Sequence, residues 1–205
     1  MSSHSQPDQA DIRQRILDTA LREFAAKGYH RAILDEIAAR AGVSKGAVYW
    51  HFENKRALFL TVVQREIFRL TAYLKTVIAD SDQSAIARLN AFIVASLTYY
   101  TDHPEFCNLL KIFTSPGGPE LNLDVEVMVS DDYRQLRAMV NTLIQEGVRR
   151  GELESARVGV AAPMLVAVLD GLMFQWVLEP QAVPLRELAS NVASAFLEGI
   201  VKRTN

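Results

Sequence analysis

Apolar residues along this 205-residue chain return every three or four positions almost from end to end, a spacing that suits packed helices. Ile12, Ile16, Ala20 and Phe24 step by four. Lys27 and Gly28 close that run, since a cation suits a last turn and glycine takes the left-handed stop. Leu34, Ile37, Ala38 and Ala41 mark a second, shorter helix ending at Gly42. Ser44 is placed to cap a third over 45–52 by accepting from its free amides, and Asn54 caps a fourth running to about Ala79. Further helices are predicted over 85–100, from His103-Pro104 through Phe113, and over 125–149, 156–178 and 185–201, with Ser115-Pro-Gly-Gly-Pro119 as a loop. In the last of them Leu185, Leu188, Val192, Phe196 and Gly199/Ile200 form one apolar stripe. The expected architecture is all-α with about nine helices. A disordered lead-in covers 1–9, a three-helix helix-turn-helix domain covers 10–54, and a helical C-terminal domain covers 55–205.

Composition agrees with that outline. Glycine and proline number 10 and 7 and cluster at a few points, which disfavours a strand-and-turn fold. With 49% hydrophobic residues the core needs no metal or disulfide. The one cysteine, Cys107, sits among Phe106, Leu109 and Leu110 as a small core residue and suits a reducing, cytoplasmic setting. Met1-Ser-Ser-His-Ser-Gln-Pro7 lacks the basic start and apolar run of a secretory signal. From Val158 to Leu178 only Asp170 is charged, but Pro163, Asp170, Gly171 and Gln175 interrupt the run. The expectation is a helix buried between subunits, not a membrane span. Net charge is −2, yet residues 1–60 carry 9 Lys/Arg against 7 Asp/Glu while 61–205 carry 13 against 17. The slight basic excess therefore falls on the helix-turn-helix segment.

That segment carries the chemistry. On a helical wheel Ala47, Val48, His51 and Phe52 gather on one side and Lys45, Gly46, Tyr49 and Trp50 on the other. The first set is suited to packing. The second suits a DNA major groove, which admits a helix and displays acceptors such as guanine N7 and O6. Lys45 can donate to those acceptors, and Gly46 lets the backbone come close. Tyr49, Trp50 and His51 can reach phosphates or sugars. Lys55, at the start of the fourth helix, stands where free amides already favour a phosphate.

The run Ile37-Ala-Ala-Arg-Ala-Gly-Val-Ser-Lys-Gly-Ala-Val-Tyr-Trp-His-Phe-Glu-Asn-Lys-Arg-Ala-Leu58 resembles the signature of the tetracycline-repressor (TetR) family, most specifically at Tyr49-Trp50-His51-Phe52 and Asn54-Lys55. The likeness extends back through Ala20, Phe24, Gly28 and Tyr29, so it covers about residues 11–60. The resemblance implies an all-helical homodimer whose last two helices, here 156–178 and 185–201, form a four-helix interface. It implies a ligand-responsive transcription regulator, a repressor, released from a palindromic DNA operator when a small-molecule effector fills a cavity in the C-terminal domain and moves the fourth helix. Residues 55–205 are then a ligand-binding and dimerisation domain. Family DNA contacts carry over to Ser44, Lys45, Gly46, Tyr49, Trp50, His51 and Lys55. Where the family usually has Thr or Ser before the second helix, this chain has Ala32 and Ile33.

Other signals point away from catalysis. Gly42-Val-Ser-Lys-Gly46 matches a nucleophile elbow, but a helix, not a strand, is predicted before the serine. His4, His30, His51, His103 and Cys107 have no metal-ligand spacing, so neither metal nor cofactor is expected. Phe68, Phe92, Tyr99, Phe106, Phe113, Phe174 and Trp176 lie on central helices as candidates for an apolar pocket. They suggest a mainly apolar effector. The alternatives are a helical enzyme or carrier using that cavity, or an activator in place of a repressor.

Overall fold

Nine helices form among the residues that the computed structural model describes, 9–114, 122–154 and 158–201. Helix α1 (Gln9–Arg31) buries Ile16, Ala20 and Phe24 as their four-residue spacing requires. Gly28 breaks it with a kink at φ 77°, ψ 169°, a last turn follows to Arg31, and Tyr29 packs its ring edge-on against Phe59 of the fourth helix. Helix α2 (Leu34–Ala41) stops at Gly42, left-handed at φ 65°. Helix α3 (Lys45–His51) starts at Ser44, whose side chain accepts from Ala47 N. Helix α4 (Lys55–Val77) starts at Asn54, whose Oδ1 accepts from Ala57 N at 2.9 Å. Then come α5 (Ala85–Asp102), α6 (Pro104–Thr114), α7 (Asn122–Arg149), α8 (Val158–Leu178) and α9 (Leu185–Glu198). The expected loop at 115–119 and residues 156–157 of the eighth helix lie outside the described residues, as does most of the lead-in.

Helix α9 corrects two expectations. It ends at Glu198 because Glu154 N donates to Ile200 O at 2.9 Å, and Leu153 bridges Val201, so the chain end pairs with the turn after α7. Its buried face is Leu185, Ala189, Ala193, Phe196 and Leu197, while Leu188 and Val192 stay half-buried. The two alanines face the core, where their small side chains leave room for close packing of α9 on α5.

Two apolar cores result. One joins α1, α2 and α3 to Leu58, Phe59, Val62 and Val63 of α4 and to Leu109 of α6. The N-terminal packing unit thus runs past residue 54. Each fully buried large side chain, such as Phe24 or Phe59, contributes about 1.5–3 kcal/mol. Buried Glu23 on α1 meets Lys27 of its own helix and Arg40 of α2, and buried Glu66 pairs with Arg65 and Arg69 within α4. Arg65 also reaches Asp18 at 2.8 Å, which fixes α4 against α1. The second core lies among α4, α5, α6, α7, α8 and α9 around Leu89, Phe92, Ile93 and Leu165.

Helix α8 is continuous in spite of Pro163. By length and composition it is apolar enough to cross a membrane, with mean hydropathy 1.7 over Gly159–Leu178, and 28% of that window is buried. Pro163, Asp170, Gly171 and Gln175 all fall inside that window. Val160, Met164, Val168, Phe174 and Leu178 remain exposed on it.

Candidate functional site

Helix α3 stands on a small apolar base. Val48 is fully buried and Phe52 nearly so, while Lys45, Gly46, Tyr49 and Trp50 are exposed, Trp50 by 69%. Seven residues are too few to hold a helix in water. The Ser44 cap, the Gly42 turn and the seat against α1 and α2 supply what length does not. Arg15 of α1 donates to Ala41 O at 2.6 Å and to Gly42 O at 3.1 Å, so a cation closes the C-terminal end of α2. Sequence reasoning missed this contact, because residues 26 positions apart give no periodic signal.

The candidate DNA-facing side chains differ in their freedom. Lys45 Nζ donates to Asp35 Oδ2 at 2.9 Å, and that hydrogen bond and charge raise its pKa above the ordinary lysine value. It also lies 5.8 Å from the centre of the Tyr49 ring. Lys45 is thus cationic and solvent-exposed, held in an ion pair that a phosphate or base edge must displace. His51 is half-buried under Trp50, and its Nε2 is buried without a hydrogen-bond partner. Burial, followed by the charge of Arg13, lowers its pKa, so the imidazole is neutral. Lys55 turns inward. Its Nζ donates to His30 O and Ala32 O, both at 3.1 Å, and sits 4.7 Å over the Tyr29 ring. The carbonyls at the junction of α1 and α2 therefore hold the ammonium that the sequence offers to a phosphate. At that junction Ile33 caps α2 with no side-chain hydrogen bond and Ala32 is buried. Ser44 follows a helix, which excludes the strand-to-helix elbow a nucleophile there would need.

A small, open-mouthed cavity lies between α4 and α8. Helix α4 supplies Ile67, Leu70 and Thr71; α5 supplies Tyr100; α6 supplies Phe106 and Leu110; α7 supplies Tyr133 and Leu136; and α8 supplies Asp170. Of the aromatics expected there, Phe106 is on the wall. Phe68 points outward at 71% exposure, and Phe174 is also exposed. Phe92 is sealed in the central core, where Trp176 packs at the edge. Tyr99 is buried against Tyr73 and His103. The side chain of Phe113 lies outside the described residues. Aromatic character marks a preference for burial but not which flank of a helix meets a void. Asp170 was missed as a wall residue, although it is the only charge between Val158 and Leu178. Burial pushes its carboxyl pKa up, opposed by a hydrogen bond from Tyr133.

Comparison with known proteins bears on both regions. Residues 16–62 match the family model of bacterial regulatory proteins, tetR family, and residues 85–202 match that of the C-terminal part of BetI-type transcriptional repressors. The chain is 30% identical to the probable acrEF/envCD operon repressor of Escherichia coli strain K12, over 98% of this chain and 95% of that one. It is 44% identical to the HTH-type transcriptional regulator SrpR of Pseudomonas putida, over 75% and 68% of the two chains. Among solved structures, the complex of SmeT with triclosan matches with a TM-score of 0.80 and 26% identity, covering 93% and 92%. SmeT is the repressor of the Stenotrophomonas maltophilia multidrug efflux pump SmeDEF.

Proposed function

The chain belongs to the tetR family of bacterial regulatory proteins and is a ligand-responsive, DNA-binding transcriptional repressor, and we propose that α3 reads its operator through Lys45, Gly46, Tyr49 and Trp50. The observation that carries this reading is the sidedness of α3: a capped helix seated by Val48 and Phe52, with a cation, a bare backbone and two aromatics outward. Ser44 brings its exposed hydroxyl to the phosphate beside that helix. Lys55 and His51 act mainly by position, Lys55 by bracing the junction of α1 and α2 and His51 by supporting Trp50.

Two copies of α3 about 34–36 Å apart read the half-sites of a palindrome, so the repressor works as a dimer. The α8 face is the part of the molecule suited to pairing. Val160, Met164, Ala167, Gly171, Phe174 and Leu178 step by four and three along it, which is a helix-pairing seam. Leu188 and Val192 of α9 extend the apolar surface. A membrane role fits less well, because Asp170 in the middle of α8 faces a cavity wall built by other helices of the same chain. A soluble, cytoplasmic dimer bound to operator DNA is the resulting picture.

Effector and operator are coupled through two helices that belong to both cores. Helix α4 places Leu58, Phe59, Val62 and Val63 under the DNA-binding unit and Ile67, Leu70 and Thr71 on the cavity wall. Helix α6 places Phe106 and Leu110 on the wall, while Leu109 inserts in the N-terminal core and Ile112 packs against it. A molecule wedged beside Phe106 and Leu110 displaces Leu109 with them, since packed cores yield in discrete steps. Release follows to the extent that the ligand binds the DNA-incompetent arrangement more tightly.

Fluorescence anisotropy of the dimer on its own upstream intergenic DNA, against a scrambled duplex at physiological salt, tests this. Specific recognition requires a preference of at least about a thousandfold. Equal binding to both duplexes would remove the operator reading for that DNA, and a genome-fragment selection with no enriched site would remove it altogether.

A further inference from the structure

Among the described residues, the wall of the cavity between α4 and α8 is apolar apart from Asp170 and the hydroxyls of Thr71, Tyr100 and Tyr133, and it contains no lysine, arginine or histidine. The Tyr133 hydroxyl donates to the Asp170 carboxylate. Tyr100, buried on the same wall, is near enough for the charge of Asp170 to act on its hydroxyl. Arg137 of α7 lies beside this wall, while cations of α4 and α6 are engaged elsewhere. Arg65 and Arg69 of α4 serve Glu66 and Asp18, Lys111 of α6 donates to Val177 O at 2.6 Å, and Arg137 of α7 lies 6.0 Å over the Tyr133 ring. A carboxylate offers about four lone-pair sites, and one tyrosine satisfies one of them. Burial without a cation is unfavourable for this acid, and its raised pKa has that desolvation as its largest cause.

Taking this cavity as the effector site, we propose that the effector is an organic cation with an apolar body, its ammonium group held by Asp170 and by the ring of Tyr100, and its hydrocarbon against Phe106, Leu110 and Leu136. Charge attraction and the ring quadrupole act on the same headgroup. This narrows the expectation of a mainly apolar effector. The body is apolar, but one positive charge selects it.

Calorimetric titration of the full-length dimer at pH 7 with phenylhexylamine, phenylhexanol and phenylhexanoate separates charge from apolar body. The amine is expected to bind at least about tenfold tighter than the alcohol, as a desolvated ion pair with added cation–π contact implies, with the carboxylate weakest. Asp170→Asn is expected to bring the amine down to the alcohol's affinity and to leave the alcohol within about twofold. The ranking in the unmodified protein stands whether or not that variant folds, and Tyr133→Phe, which keeps the charge, is expected to keep the amine's advantage. An alcohol that binds as tightly as the amine, no binding by any of the three, or an amine advantage unchanged in folded Asp170→Asn overturns the proposal. Anisotropy of the operator complex in the same titrations tells the two ideas apart. An amine bound through Asp170 that leaves the complex intact refutes the effector role and keeps the cation site. Release by uncharged ligands alone refutes the cation site and keeps the repressor.

Discussion

At the scale of single residues, charge and burial set what each group can offer. In the proposed operator complex Lys45 exchanges Asp35 for DNA, and both are exposed, so water screens the pair and the exchange costs little. Lys45→Ala is expected to weaken operator binding roughly five- to 150-fold while leaving scrambled DNA less affected, as for a base contact. Equal losses on the two duplexes would make Lys45 a phosphate anchor. Cys107 is the opposite case. Its thiol is fully buried and donates to Tyr100 O at 3.6 Å, and burial raises its pKa to about 12. A thiol so held has almost no thiolate at pH 8. Ellman's reagent is therefore expected to label the native protein slowly, at the rate of its opening, and to label it at once in denaturant. Rapid native labelling would show that α6 exposes this face.

Among elements, glycines show where chain geometry leaves no choice. Gly42 ends α2 in the left-handed region, and a Cβ there would stand 2.8 Å from Arg15 Nη2. The guanidinium can swing away, though at the expense of its bonds to Ala41 O and Gly42 O. Gly42→Ala is expected to lower stability by about 1–2 kcal/mol from backbone strain, read as a shift in urea midpoint. At Gly147 in α7 the limit is space. A Cβ would meet Leu153 Cδ1 at 2.6 Å and Ala85 Cβ at 3.0 Å. Gly147→Ala is expected to destabilise by about 1–3 kcal/mol through overpacking, although alanine is the better helix former. A neutral or stabilising outcome would mean that the turn carrying Leu153 moves freely. Caps made α2, α3 and α4 legible from sequence: Gly42, Ser44 and Asn54 mark their boundaries by local geometry and hydrogen bonding. The end of α9 lacks such a mark. Residues 199–201 leave the helix to meet residues 153 and 154, a partner remote in the chain.

At the scale of the molecule, α8 leaves an apolar face exposed, with Val160, Met164, Val168, Phe174 and Leu178 on it. Met164 is 54% exposed on the proposed seam and does not line the cavity. Met164→Glu is expected to yield a monomer of about half the native mass in sedimentation, with operator affinity reduced to the non-specific level, because one reading head alone cannot span a palindrome. A variant that sediments as a dimer would move the interface away from α8. The same scale explains the coupling between cavity and DNA-binding unit. Leu109 and Phe106 are three residues apart on α6, yet each belongs to a different core.

The sequence by itself determined whatever depends on neighbours along the chain. It specified the helical class, the capped turn between α2 and α3, and the polar, aromatic side of α3, because apolar period and capping are local properties. Tertiary structure decided which flank of each central helix meets empty space. It turned Phe68 and Phe174 outward, left Phe106 on the cavity wall and brought Tyr133 to Asp170. It also turned Lys55 to the carbonyls of His30 and Ala32. Such placements depend on how helices distant in sequence stack, and a period of 3.6 residues carries no record of what lies across the groove.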